Sequence, residues 1–146
     1  MCDFILNEIS AEYRAFFKIE TNLAATSEVV HSIQAFSQAV DLLFARIQPE
    51  KVVSCIFGFR ELNINFSGLE LNYALIQPTL HFTLAHNIIF FDVINSIDKP
   101  FDVQVANYLE ELIHAFMNTS DEIFTHQIVE LVLPSVSYLD GCFQLR

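Results

Sequence analysis

The chain has 146 residues, 53% of them apolar and 17% charged, with 18 acidic against 7 basic side chains and a formal net charge of −11. Apolar content this high at single-domain length argues against disorder, and the absence of a Lys/Arg cluster disfavours binding to nucleic acid or to an anionic membrane surface. Seven acids and five bases lie in residues 1–60 and eleven and two in residues 61–146, so the negative charge belongs mostly to the C-terminal half.

In chain order, Asp3 is placed to cap a first helix running to about Ile19, with Ile5, Leu6, Ile9, Tyr13, Phe16 and Phe17 at helical spacing. Thr26 or Ser27 caps a second, whose core face is Val29, Ile33, Phe36, Val40, Leu43, Phe44 and Ile47 and which stops at Gln48-Pro49. Its other side is sparsely charged: His31, Gln34, Gln38 and Leu42 lie there or at its margins with Ala35, Ala39 and Ala45, and Asp41 is the main charge. Solvated helix faces are normally richer in Lys and Glu, so His31, Gln34, Gln38 and Leu42 are the expected subunit-interface residues.

From Val52 to Ile94 the period falls to two, which predicts four or five antiparallel strands with turns at Ser67-Gly68 and near His86-Asn87, and a bulge at Gly58 or Arg60-Glu61. Within residues 80–85 the alternation puts Leu80, Phe82 and Leu84 on the core face and His81 with Thr83 on the other. The run from Ile88 to Ile94 is apolar on both faces and predicts a strand covered on both sides. Past Lys99-Pro100 the helical period returns, with Val105, Ala106, Leu109, Leu112, Ile113 and Phe116 inward. Thr119-Ser120-Asp121-Glu122 then opens a fourth helix facing Phe124, Ile128, Leu131 and Val132 to the core. Asp140-Gly141 is a strong signal for a closing β-hairpin. The expected fold is α+β and one domain over residues 1–146: an antiparallel sheet of about four to six strands, packed with an N-terminal helix pair and a C-terminal helical hairpin.

Carboxylate and imidazole recur on that hairpin. Glu111 and His114 are three apart and Glu122 and His126 four apart, with Glu130 continuing the step, and these residue types suit a metal or acid/base chemistry. Glu111, His114, Glu122 and His126 are therefore the candidate ligand-binding residues. Glu-x-x-His occurs once, whereas di-iron bundles use it twice, and both polar faces lie opposite apolar stripes, as solvated faces do. Cys2, Cys55 and Cys142 have neither metal-knuckle nor redox spacing and read as reduced thiols of a cytoplasmic protein. No phosphate loop, nucleophile elbow or zincin motif occurs, and no catalytic set, resident metal or cofactor is expected. The expectation is an acidic binding or interaction domain forming a homo-oligomer, a dimer by preference, with a protein partner and without nucleic acid or membrane. The alternative is a metal-assisted enzyme or small-ligand-binding protein using Glu111, His114, Glu122 and His126, and a third reading is an acidic decoy for a basic protein.

Overall fold

A computed structural model describes residues 3–58, 61–66, 69–74 and 80–146, with the backbone alone for residue 3 and for 61–66 and 69–74. The chain is of mixed helix and strand, α+β in the broad sense, but its main sheet is mixed rather than antiparallel. The first correction comes at the N-terminus, where the long helix expected to reach Ile19 is divided. Helix α1 spans Asp3–Glu8, a 3-10 helix Ala11–Phe16, and strand β1 Phe17–Thr21. Arg14 folds back to donate from Nε to the Ile9 carbonyl (2.8 Å) and from Nη2 to that of Asn7 (3.2 Å), and the Ser37 hydroxyl donates to the Glu8 carbonyl. These bonds satisfy carbonyls that a longer helix would have used itself. Phe17 and Ile19 then alternate with exposed Lys18 and Glu20, the pattern of a strand with one buried face.

Helix α2, Ser27–Phe44, starts where Thr26 accepts the Val29 N–H. Its core face is the expected one through Phe44, and Ile47 packs against the core from beyond its end. The sparsely charged side is explained in part by α3, Phe101–Phe116. Ser32, Ala35 and Ala39 are buried, and the Ser32 hydroxyl meets the Tyr108 hydroxyl of α3 at 2.7 Å.

Strands β2 (Val53–Gly58), β5 (His81–Leu84) and β6 (Ile88–Asp92) join β1 in the order β1-β2-β6-β5. The pairs β1/β2 and β2/β6 are parallel and only β5/β6 is antiparallel. Parallel pairing requires a crossover, which α2 supplies between β1 and β2. Apolar alternation cannot reveal this, because a strand buried on one face reads alike in either direction. Strands β3 (Glu61–Phe66) and β4 (Leu69–Ala74) form a separate antiparallel pair, and the turn expected at Ser67-Gly68 lies outside the described residues. Ile89, Phe90 and Phe91 are all buried, as the doubly apolar run predicted.

The registers Ile19↔Cys55, Phe57↔Phe91 and Phe91↔His81 put Phe17, Val53, Cys55, Phe57, Ile89 and Phe91 on one face of the sheet together with His81 and Thr83. This reverses the sequence-based orientation of β5. His81 is buried, while Phe82 and Leu84 are exposed. The ring of Phe36 sits 5.1 Å from Phe57, 5.3 Å from Phe91 and 5.6 Å from Tyr108, joining α2, the sheet and α3 in one core. Helix α4, Glu122–Val132, is capped by Asp121, which accepts the Phe124 N–H at 3.0 Å. It buries Thr125, Val129 and Val132 and leaves Phe124 and Leu131 exposed, a rotation from the expected stripe. Strands β7 (Val136–Leu139) and β8 (Cys142–Leu145) close the chain through the predicted Asp140-Gly141 turn, whose positive φ angles of 52° and 85° suit these two residues. Among the described residues no helix is long and apolar enough to cross a membrane.

Candidate functional site

Helix α3 is enclosed on almost every side by α2, the sheet, α4 and the β7–β8 hairpin, so the polar face expected in solvent is buried: Glu111 is 8% and His114 7% exposed. Its outward turn meets the polar face of α4. Glu110 and His114 on α3, each four residues apart like Glu122 and His126 on α4, bring two carboxylates and two imidazoles together across the hairpin. One ligand atom each from Glu110, His114 and Glu122 lies within 4.8 Å of the others. Nε2 of His126 is 2.8 Å from Oε1 of Glu110 and 3.5 Å from Oε2 of Glu122.

The tautomer of His114 follows from its surroundings. Nδ1 lies 2.8 Å from the Thr119 carbonyl, which only accepts, so Nδ1 carries a proton. In the neutral ring Nε2 then presents a lone pair, and it does so 3.3 Å from Oε1 of Glu122. Two acceptors at this separation require a proton or a cation between them. Burial and the neighbouring Glu122 raise the Glu110 carboxyl to about 7, and burial pushes His126 below the ordinary imidazole value.

Of the candidate residues, His114, Glu122 and His126 belong to this cluster. Glu111 turns to the other side, where Thr83 of β5 donates to its carboxylate, and burial raises its pKa. Glu130 accepts the Tyr138 N–H and holds the hairpin instead. Glu110 shares the polar face of Glu111 and His114 but lies outside the Glu-x-x-His step at 111–114 that singles out those two. Its signal was the repeat of Glu-x-x-x-His at 110–114 and 122–126. The His126 ring stacks on Tyr138 with centroids 3.5 Å apart and meets Phe143 edge-on, so β7–β8 fixes its plane.

The cluster opens on a cavity of about 780 Å³ between α3, α4, the start of β5 and the β7–β8 hairpin. Glu110, Glu111 and Glu122 lie on its wall with His81, Lys99 and Tyr138. The interface candidates stand elsewhere: His31, Gln34 and Gln38 are exposed on α2, His31 against Phe101 at 4.9 Å, and Leu42 is half-buried. Cys55 is buried, which raises its pKa and leaves it unreactive; Cys142 is an exposed free thiol, and Cys2 lies outside the described residues. Compared with family models, curated proteins and solved structures, the chain matches none.

Proposed function

We propose that this protein is a binding domain that holds a divalent transition metal between α3 and α4, at the wall of a cavity that admits a small ligand. The observation that carries the reading is the approach of His114 Nε2 to Glu122 at 3.3 Å, with a Glu110 oxygen within 4.8 Å of both. Ligands of a tetrahedral ion at about 2.0–2.1 Å stand about 3.4 Å apart, so His114 and Glu122 already have a bite of the right size. The Thr119 carbonyl orients His114, and His126 holds Glu110, as outer partners do in metal sites. Mixed imidazole and carboxylate ligation favours Zn²⁺, Fe²⁺ or Mn²⁺ over Ca²⁺.

Calorimetric titration with Zn²⁺, repeated with Co²⁺ and followed by visible absorption, tests this. One ion per chain in the wild type, lost in His114→Ala and in Glu122→Gln, is the expected result. Stoichiometric binding that persists unchanged in both variants, or no binding at all, overturns it.

A self-associating protein is the second reading, favoured by exposed Ile123 and Leu131 on α4 and Leu139 and Leu145 on the closing hairpin, rather than by the polar outer face of α2. Native mass spectrometry decides between monomer and dimer. A reduced cytoplasmic setting accords with the free thiols Cys55 and Cys142.

A further inference from the structure

Strand β1 ends the main sheet, so among the described residues it is paired on one side only, with β2. Its other side presents the N–H and C=O groups of alternate residues, a template for a further strand. Phe17 and Ile19 face the core, whereas Lys18 and Glu20 are exposed on the opposite face.

Two-fold symmetry narrows what can pair there. In an antiparallel pair of identical strands one residue faces its own copy, and residues equidistant from it become partners on the same face. Centring on Lys18 sets Lys18 against Lys18 and overlaps only residues 17–19. Centring on Glu20 sets Glu20 against Glu20 and overlaps only 19–21. Both oppose like charges, which is destabilising. Centring on Ile19 overlaps all of Phe17–Thr21, keeps Phe17 beside Thr21 on the core face, and pairs Lys18 of each copy with Glu20 of the other. The chain has a net charge of −11 and 7 basic residues in all, so two copies repel unless a base is set against an acid, as Lys18 is in this register. At the other end of the sheet β5 has four residues, so no residue stands at its centre and every two-fold register leaves part of it unmatched.

We propose that two copies of this chain join edge to edge through β1, antiparallel and centred on Ile19, so that the sheet runs on from one copy into the other. No residue of β1 belongs to the Glu110, His114 and Glu122 cluster, so the metal reading stands or falls separately.

Sedimentation velocity over a concentration series tests this on the wild type, Lys18→Glu, Glu20→Lys and the double exchange Lys18→Glu/Glu20→Lys. Both side chains are exposed, and circular dichroism checks that the fold is kept. The wild type is expected to dimerise. Each single reversal opposes like charges at two symmetric places and is expected to raise the dimer Kd about tenfold or more, whereas the double exchange restores opposite pairs and is expected to return to within about threefold of the wild type. A wild type that is monomeric at every concentration, a dimer whose Kd the single reversals leave unchanged, or a double exchange no tighter than the singles overturns the proposal. A dimer indifferent to these changes but lost in Leu131→Glu puts the contact on α4, which overturns this proposal and keeps self-association.

Discussion

Glu110 of α3 and His126 of α4 meet at 2.8 Å although sixteen residues separate them, and this bond turns the Glu110 carboxylate toward His114. The two helices thus present a shared polar seam instead of two wet faces. Removing the outer partner leaves Glu110 free to rotate away. His126→Ala is expected to weaken Zn²⁺ binding by about 10–100-fold while keeping one ion per chain, and competition with a chromophoric chelator measures it.

The hydroxyls of Ser32 on α2 and Tyr108 on α3 meet at 2.7 Å and are fully buried. Tyr108→Phe leaves the Ser32 hydroxyl in an apolar setting and is expected to cost about 1–3 kcal/mol in urea unfolding. Adding Ser32→Ala removes the orphan and is expected to restore part of the loss, so that the double variant is more stable than the sum of the singles.

Ala85 and His86 adopt positive φ angles of 52° and 58° in the turn between β5 and β6. An alanine there is strained by its Cβ, and glycine is not. Ala85→Gly is expected to stabilise the protein by about 1 kcal/mol, read as a melting temperature a few degrees higher. An equal or lower melting temperature contradicts this.

Burial lowers the His81 pKa to about 3 from the ordinary 6.5, and nearby Lys99 acts in the same direction. The unfolded chain therefore binds this proton more readily, and the stability that neutral His81 contributes is lost as pH falls below 6.5 toward 3. Glu110 and Glu111, whose pKa values are raised, titrate with the opposite sign, so the wild type must be compared with His81→Asn. Whatever stability separates the two at pH 7 is expected to shrink by up to about 1.4 kcal/mol per pH unit in that window, since the carboxylates contribute to both and cancel. Urea unfolding at pH 7, 6, 5 and 4 provides the slopes.

The helical stripes of α2 and α3, the doubly apolar β6 and the Asp140-Gly141 turn were legible because each depends on local spacing or on one φ angle. Direction of pairing was not. Phe17-Lys18-Ile19-Glu20 follows Phe16 without a break in apolar periodicity, and only the Arg14 and Ser37 bonds to the preceding carbonyls mark where the helix yields to β1. In β5 the polar residues point inward because α3 brings Glu111 to Thr83, a partner 28 residues distant. The site suffered likewise: periodicity placed His114, Glu122 and His126 on polar faces, but it sends polar faces to water, and here these three meet with Glu110 between α3 and α4.

Tyr108 also sets an order of events. The parallel ladder of β1, β2 and β6 is complete by residue 92, yet the ring that covers Phe36, Phe91 and His81 lies further along, in α3. During synthesis from the N-terminus, a nascent chain that has made its sheet and α2 still lacks the part of the cover that α3 supplies over Phe91 and His81. Apolar surface left partly open in this way favours association, so the sheet is fully protected only once α3 has been made and has docked.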